Sequence, residues 1–393
     1  MNALEKKYTV LLLSAPIGSG HRLAAQALEQ VLAKNKNVRV LHGNVFDFFP
    51  HCLGSAFLRS YLWILDCCPW LYAAAYKWGN SQSGSLWLRG LINRVLAWLG
   101  EGYLRRVQPD AVLATHATPA GIMSYYKQNH PNIFLGAVVT DFTIHQWWQC
   151  EGVDAYFLAD ERLCERISVP AEVLAYGIPV RQQFLGLDAQ ACRRQYGWDE
   201  NERVCLLMGG GEGLLPMEEM LEALLYSGLE GLHLVAITGH NQKLEARLRA
   251  KYAKQNGLEQ QAGVAYENSS RIEACDVKNI KTPEIYGFRE DVPQMLAAAD
   301  MIITKAGGLT SAEALASGLD LLIYKPLPGQ EQGNAAFLRD FYGARIANDV
   351  PTMLEAVRGI CAAHRHMQAA STHGKPRAAE QICDFVMKKL AQK

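Results

Sequence analysis

Short apolar runs alternate along the chain with longer stretches of helical spacing. Residues 8–15 form the first apolar run, and a glycine turn separates it from Ala and Leu at helical intervals over residues 23–33. Further apolar runs are found at residues 38–45, 111–115, 133–140 and 154–159. Buried strands that alternate with helices are typical of a parallel sheet. The first half of the chain is therefore predicted to form a Rossmann-like α/β unit.

A second series of the same kind begins after residues 177–179, which contain a glycine and a proline. Its strand-like runs are residues 203–208, 232–238, 284–288, 300–304 and 319–324. Its helical stretches are residues 216–228, 309–317 and 376–390. Because each series opens with a strand, a glycine loop and a helix, the chain is predicted to contain two Rossmann-like domains, with the boundary inside residues 178–200.

Two segments depart from this pattern. Residues 251–283 are polar with little periodicity, which indicates a surface insertion. Residues 51–106 contain five of the eight tryptophans and six basic residues against two acidic ones. Aromatic and basic side chains together favour an anionic bilayer surface, although the tryptophans could also form the core of a helical subdomain. The candidate membrane residues are Trp63, Trp87, Arg94 and Trp98.

Composition narrows the class of protein. The chain has 393 residues, of which 49% are hydrophobic and 20% charged, as in a folded protein with a large core. Lys and Arg (39) balance Asp and Glu (39), which argues against nucleic acid as the main partner. The ten cysteines form no CxxC pair, and residues 10–13 are too short an apolar run for a signal peptide. We therefore expect a cytoplasmic protein with reduced thiols.

Three glycine-rich loops follow predicted strands. Residues 18–21 lack a complete dinucleotide fingerprint, because Leu23 stands where its last glycine would be. His21 in this loop could accept a proton near neutral pH, or could simply cap or pack against the helix. Residues 209–213 contain four glycines and resemble a backbone nest for phosphate. Residues 307–311 open a helix, whose N-terminus suits a pyrophosphate.

Polar side chains beside these loops suggest a sugar nucleotide. Glu313 lies one helical turn beyond the third loop and could accept hydrogen bonds from ribose hydroxyls. Residues 328–334 carry amides and a carboxylate suited to sugar hydroxyls. Asp141 and His145 follow a predicted strand and could bind an acceptor or take part in catalysis, the alternative for the carboxylate being a helix cap. The absence of a DxD triplet favours phosphate binding without a metal ion.

Longer motifs at these positions resemble one family. They are GSGHRLAAQAL (18–28), TDFTIHQWW (140–148), YGIPVRQQF (176–184), MGGGEG (208–213), the block at 286–318, LPGQEQGNA (327–335) and KPRAAEQICDFV (375–386). In this order they resemble the monogalactosyldiacylglycerol synthases and processive diacylglycerol glucosyltransferases, which are related to MurG. One departure is Cys150, which stands where many relatives have a second histidine.

The resemblance implies a GT-B fold, in which two Rossmann-like domains face each other across a cleft. Residues 1–180 would form the acceptor and membrane domain, with residues 51–106 facing lipid. Residues 181–370 would bind the UDP-sugar, and the helix in residues 371–393 would pack back on the first domain.

The resemblance also implies roles for individual residues. His21 and Asp141 would be catalytic. The acceptor would contact Gly20, His145, Trp147 and Trp148. The UDP-sugar would contact Gly210, Gly211, Phe288, Gly307, Gly308, Thr310, Glu313, Gln330, Glu331 and Asn334.

The implied activity is inverting transfer of a hexose from UDP-glucose or UDP-galactose to the hydroxyl of diacylglycerol, without a metal or other cofactor. The enzyme would lie on the inner face of the cell membrane, bound to its anionic surface. Three alternatives stay open at this point: MurG-like transfer of N-acetylglucosamine to a polyprenyl-linked acceptor, UDP-sugar 2-epimerisation, and binding of a UDP-sugar by an inactive sensor.

Overall fold

The computed structural model describes residues 7–15, 19–48, 85–259, 281–363 and 374–393. The strands are β1 (Tyr8–Ser14), β2 (Val38–Asn44), β3 (Ala111–Ala114), β4 (Phe134–Val138), β5 (Ala155–Phe157), β6 (Glu172–Leu174), β7 (Arg203–Met208), β8 (Leu232–Ile237), β9 (Glu284–Tyr286), β10 (Met301–Thr304), β11 (Asp320–Tyr324) and β12 (Arg345–Ala347). The α-helices are α1 (Ser19–Leu32), α2 (Ser85–Val107), α3 (Ala117–Lys127), α4 (Ala189–Tyr196), α5 (Met217–Leu225), α6 (Gln242–Glu259), α7 (Val292–Ala298), α8 (Gly308–Ala316), α9 (Gln330–Tyr342), α10 (Val350–Ala362) and α11 (Ala378–Ala391). Short 3-10 turns occupy Val45–Phe48, Gln146–Trp148, Glu161–Arg166 and Gln182–Phe184.

The strands form two six-stranded sheets, ordered β2-β1-β3-β4-β5-β6 and β12-β11-β10-β7-β8-β9. Every pairing in both sheets is parallel. The predicted α/β class with two Rossmann-like domains is confirmed. Chain order reverses between β1 and β3 in the first sheet and between β7 and β10 in the second. Such reversals open a crevice at the carboxyl ends of the strands, where ligands bind in α/β proteins.

Helix α11 crosses from the second sheet to the first, as the GT-B prediction requires. Its buried face, including Ile382 and Val386, packs with α1 on the apolar side of the first sheet. The Phe385 ring lies 5.7 Å from that of Phe157 between centroids. Lys393 donates to the Asn132 carbonyl at 2.6 Å. The first sheet is therefore covered on this side by two helices far apart in sequence, while the residue at which one domain gives way to the other stays a prediction.

The segment at 51–106 is described only from its last helix, α2. Trp63 lies outside the described residues, as does the side chain of Trp87. Arg94 is exposed, and Trp98 is 73% exposed beside the half-exposed Leu91. These side chains line a groove of about 490 Å³ between α2 and α3. Among the described residues, no helix combines the length and the apolar character needed to cross a bilayer.

The structure describes only the ends of the predicted insertion at 251–283, and residues 251–259 belong to a helix. Helix α6 continues through Glu259, and β9 begins at Glu284. Residues 260–280 lie outside the described residues. The polar surface of α6 conceals its helical period, because few apolar positions mark a buried stripe.

Candidate active site

His21 lies in the first turn of α1, just after β1, and its ring is fixed by two neighbouring strand ends. Its Nδ1 atom lies 2.8 Å from the Thr115 carbonyl oxygen and 2.7 Å from the Thr140 hydroxyl. Thr115 follows β3 and Thr140 follows β4, which pair in the sheet. Because a carbonyl oxygen only accepts, Nδ1 carries the proton and Nε2 keeps its lone pair. The geometry assigns His21 the tautomer required of a general base.

Burial keeps the imidazole of His21 neutral. Burial lowers the pKa of His21, and the nearby Asp141 charge and the Thr115 carbonyl offset that effect only in part. His116 packs edge-on against His21, with ring centroids 4.8 Å apart. Burial, followed by the neighbouring His21, holds the pKa of His116 well below its ordinary value. His116 and Thr115 were not predicted as site residues, although this polar pair at the end of the predicted strand 111–115 was a usable signal.

Asp141 follows β4 and is buried where the two sheets meet. Its Oδ1 atom accepts a hydrogen bond from Asn334 Nδ2 at 3.0 Å. The same amide donates to the Ala306 carbonyl at 3.0 Å, and its oxygen accepts from the Phe142 backbone at 2.9 Å. Asn334 thus links the loop after β4 to the start of α9. Its predicted contact with the hexose stays a prediction, since its side chain is fully engaged by protein groups in this structure.

The residues after Asp141 form a packed turn. His145 caps the turn Gln146–Trp148, its Nδ1 accepting from the Trp147 backbone at 3.3 Å. Burial lowers the pKa of His145 to about 4. The Trp148 ring is buried beside it. Cys150 is also buried, and this burial raises the pKa of its thiol to about 11. His145 and Cys150 are therefore neutral groups at neutral pH, and their contacts with an acceptor stay predictions.

The glycine loops lie on the opposite side of the cleft, at the crevice between β7 and β10. Gly210 and Gly211 follow β7, and Gly307 and Gly308 follow β10. No side chain caps the N-terminus of α8, so its first N–H groups are open to an anion. Thr310 lies in the same first turn. This edge has the backbone arrangement expected for a diphosphate, as the sequence predicted, while the individual contacts stay predictions.

Glu313 lies one turn further along α8 and is only 4% exposed. Its Oε1 atom pairs with Arg181 Nη2 at 3.3 Å. Burial raises the pKa of Glu313 to about 7, against the opposing charge of Arg181. Arg181 belongs to the segment between the sheets and was not predicted as a site residue. The pair shows that the carboxyl accepts a hydrogen bond from a side chain, and its contact with ribose hydroxyls stays a prediction.

Three other residues predicted to contact the UDP-sugar lie at neighbouring strand ends. Phe288 follows β9 with its ring 57% exposed, stacked on His240 at 4.3 Å between centroids. Gln330 and Glu331 open α9, after β11. Glu331 pairs with Lys305 at 2.9 Å. Lys305 directly follows β10 and adds a cation, missed by sequence reasoning, next to the predicted diphosphate loop.

The strand ends of the first sheet contact the glycine loops of the second sheet in this structure. Glycine is required at position 308, because a Cβ atom there would overlap the Thr140 carbonyl oxygen. The Gly20 and Leu309 positions also approach, since a Cβ on Gly20 would lie 3.5 Å from that of Leu309. The predicted catalytic edge of the first sheet and the predicted nucleotide edge of the second therefore face each other. Within the described residues, no His, Cys, Asp or Glu cluster is arranged to hold a metal ion.

Two Rossmann-like sheets face each other across the cleft, with His21 on one edge and the uncapped N-terminus of α8 on the other, which is the arrangement of the GT-B fold. Residues 21–180 match the family model of monogalactosyldiacylglycerol (MGDG) synthase, and residues 230–381 match the glycosyltransferase family 28 C-terminal domain. The N-terminal part of the chain therefore resembles the MGDG synthases, and the C-terminal part resembles the glycosyltransferases of family 28.

Curated relatives agree with this assignment. The processive diacylglycerol beta-glucosyltransferase of Bacillus licheniformis is 27% identical over 90% of this chain and 86% of its own. A rice (Oryza sativa subsp. japonica) protein named "probable monogalactosyldiacylglycerol synthase 2, chloroplastic" is 28% identical over 89% of this chain and 72% of its own. The protein is therefore a hexosyltransferase.

Solved structures share the fold at low identity. MurG of Acinetobacter baumannii superposes with a TM-score of 0.62, at 17% identity over 97% of this chain and 99% of its own. UDP-GlcNAc 2-epimerase of Neisseria meningitidis gives 0.54, at 13% identity over 97% of this chain and all of its own. Since a transferase and an epimerase both match, the fold alone does not separate these activities.

Proposed function

We propose that the protein transfers a hexose from UDP-glucose or UDP-galactose to the free hydroxyl of diacylglycerol, with inversion at the sugar's C1. The names of the relatives support diacylglycerol as the acceptor. The observation that carries the proposal is the neutral His21, held by Thr115 with Nε2 as its free base and facing an edge suited to a nucleotide diphosphate. An inactive sensor gives no role to this base, and a 2-epimerase gives none to the exposed Trp98 and Arg94 of α2.

The chemical step is a single displacement. The acceptor hydroxyl oxygen forms a bond to C1 as the bond from C1 to the β-phosphate oxygen breaks, and its electron pair leaves with UDP. The hydroxyl proton passes to His21 Nε2, and the nearby Asp141 carboxylate stabilises the imidazolium that forms. The sequence left the base open between these two residues. We assign it to His21, because Asp141 already accepts the Asn334 amide.

Protein groups stabilise the leaving diphosphate in this proposal, with no metal ion. The first N–H groups of α8 are uncapped, and the helix dipole places partial positive charge at this end. Lys305 lies two residues before the helix N-cap, Gly307. We expect activity to persist in the presence of EDTA.

The location that fits this reaction is the inner membrane surface, with the outer face of α2 against lipid. Its exposed Trp98 and Leu91 would enter the bilayer interface, and Arg94 would meet anionic headgroups. The acceptor would then reach the cleft without leaving the membrane.

The direct test incubates the purified protein with vesicles of anionic phospholipid and diacylglycerol, and with UDP-glucose or UDP-galactose separately, in EDTA. The expected product is a β-glycosyl diacylglycerol from one donor. UDP release without a glycolipid would contradict the proposal and indicate hydrolysis or epimerisation. Glycolipid formed only after Mg²⁺ is restored would refute the metal-free mechanism alone.

Substitution of the proposed base tests its assignment. His21→Ala is expected to lower kcat by about 100- to 10,000-fold, because proton removal contributes on that scale, and to leave UDP affinity unchanged. His42→Ala is the matched control, since that histidine lies on the edge strand β2 of the same sheet. A sensor would keep its UDP response in both variants and show no turnover in either.

A further inference from the structure

Arg89 lies on the inward face of α2, unlike the exposed Arg94 of the same helix. Its Nη1 atom donates to the Gln146 carbonyl at 2.9 Å. That contact joins α2 to the turn Gln146–Trp148, which directly follows His145. The guanidinium therefore lies at the junction between the membrane-facing helix and the acceptor side of the cleft.

No acidic side chain in the described part of the chain pairs with Arg89. Among the described residues, no carboxylate lies within 4 Å of its guanidinium, and its Nε atom is buried without a hydrogen-bond partner. Arg89 is partly buried, and a cation that is withdrawn from water without a counter-charge is stabilised by oxygen atoms that accept its hydrogen bonds. The group is thus suited to a ligand rich in hydrogen-bond acceptors.

The turn beneath Arg89 adds two more donors of the same kind. The indole Nε1 atoms of Trp147 and Trp148 are both buried, and neither has a hydrogen-bond partner in the part of the chain that the structure describes. An indole N–H and a guanidinium can only donate. The ligand that satisfies them must present oxygen acceptors and needs no donor of its own.

The position of Arg89 relates these donors to the reacting hydroxyl. Arg89 is bonded to Gln146, the residue after His145, in the segment that begins at Asp141. The donor set is therefore next to the catalytic edge. In diacylglycerol the carbon next to the reacting CH₂OH carries an ester, whose carbonyl is an acceptor only.

We propose that Arg89 is an acceptor-binding residue, whose guanidinium donates to an ester carbonyl of diacylglycerol, with the indole N–H of Trp147, the residue after its partner Gln146, as a second donor. This inference rests on the proposed function. It assigns specificity for the ester linkage of the lipid to one side chain on α2.

The test compares an ester acceptor with an ether acceptor that lacks carbonyl oxygens. Vesicles of phosphatidylcholine contain either dioleoylglycerol or the matching dialkylglycerol, and kcat/KM is measured for each lipid. The wild-type enzyme is expected to favour the diester by about 10- to 100-fold, the range for a charged hydrogen bond. Arg89→Met should bring this ratio close to one, and Arg89→Lys should retain part of it.

Arg106→Met is the matched control, because it removes an exposed arginine without an assigned role from the same helix. It should leave the ester-to-ether ratio unchanged. UDP affinity, measured calorimetrically, verifies that each variant is folded. A wild-type ratio near one would overturn the inference even without variants, as would an unchanged ratio in Arg89→Met.

The same assay is repeated with phosphatidylglycerol added to the vesicles. If the effect of Arg89→Met appears only with this lipid and is equal for both acceptors, the guanidinium binds a headgroup phosphate and the inference is wrong. If the wild-type enzyme glycosylates neither lipid from either donor, the proposed function itself fails. Turnover of both lipids at equal rates would leave the proposed function intact and refute only the role of Arg89.

Discussion

Burial is the main cause of the pKa shifts of the ionisable side chains in the cleft. It lowers the pKa of His21 and His145 and raises that of Glu313, in each case toward the neutral form. The opposing charges nearby, Asp141 for the histidines and Arg181 for the glutamate, are the smaller effect. A ligand that supplies hydrogen bonds or charge will therefore change protonation as it binds.

UDP binding is expected to release a proton from Glu313. With a pKa of about 7, this carboxyl in the free protein is mostly protonated at about pH 6. Ribose hydroxyls that donate to it would favour the carboxylate, lower its pKa and release most of one proton. Calorimetric titrations in two buffers of different ionisation enthalpy measure this quantity.

Glu313→Gln should abolish the proton release that comes from Glu313. Protons exchanged by the UDP phosphate are the same in both proteins, so they cancel when the variant is subtracted from wild type. Glu212→Gln, an exposed glutamate of the 209–213 loop, should keep the release from Glu313. Equal proton release in wild type and Glu313→Gln would show that this carboxyl does not meet the ribose.

Sequence patterns located His21 and Glu313, because each stands at a fixed distance from a glycine loop after an apolar run. Arg181 and Arg89 escaped prediction for a different reason. Each acquires its partner across a large separation, Arg181 with Glu313 and Arg89 with Gln146, and such contacts leave no local pattern.

Among the secondary-structure elements, the long apolar strands and the C-terminal helix were predicted well, because each is buried over several consecutive residues. Strands β6 and β12 were missed. Both are three residues long and only partly buried, so they form no apolar run. Their place in the sheets is set by pairing with β5 and β11, which is a tertiary effect.

Helix α11 is expected to stabilise the first sheet. Ile382 is fully buried in that core, so Ile382→Ala should lower the free energy of unfolding by about 2 to 4 kcal/mol. Asp384→Ala, an exposed position on the same helix, should change it by less than about 0.5 kcal/mol. Urea titrations followed by circular dichroism would measure both. Equal stability of the two variants would mean that α11 is not docked in solution.

Helix α2 is expected to bind membranes through its outer edge. Replacing Leu91, Val95 and Trp98 together with serine removes the exposed apolar side chains and should weaken binding to anionic vesicles by at least about tenfold. Leu214→Ser is the control, since that leucine is 64% exposed on the second domain. Co-sedimentation with vesicles gives the bound fraction. If the triple variant sediments like wild type, another surface binds the lipid.

For the whole molecule, the contact between Gly308 and Thr140 decides how far the two domains close. Gly308→Ala introduces a methyl group into the space of the Thr140 carbonyl, so the cleft should open. Gly307→Ala is the matched control, because a Cβ atom there meets nothing within 4 Å. Small-angle scattering without substrates should show a larger radius of gyration only for Gly308→Ala.

Turnover of Gly308→Ala should also fall by at least about tenfold, because the reacting groups no longer meet at the correct distance. Identical scattering profiles for the two glycine variants would indicate that the domains are already apart in solution.

The return of α11 to the first sheet has a consequence for synthesis of the chain. The ribosome completes the first sheet at Leu174, about 200 residues before it makes Ile382 and Val386. At about 5 to 20 residues per second, the apolar surface around Leu12 waits about 10 to 40 seconds for its second covering helix. During that interval the nascent first domain exposes an apolar surface on its completed sheet. Ribosomes that stall before residue 378 would release an aggregation-prone product.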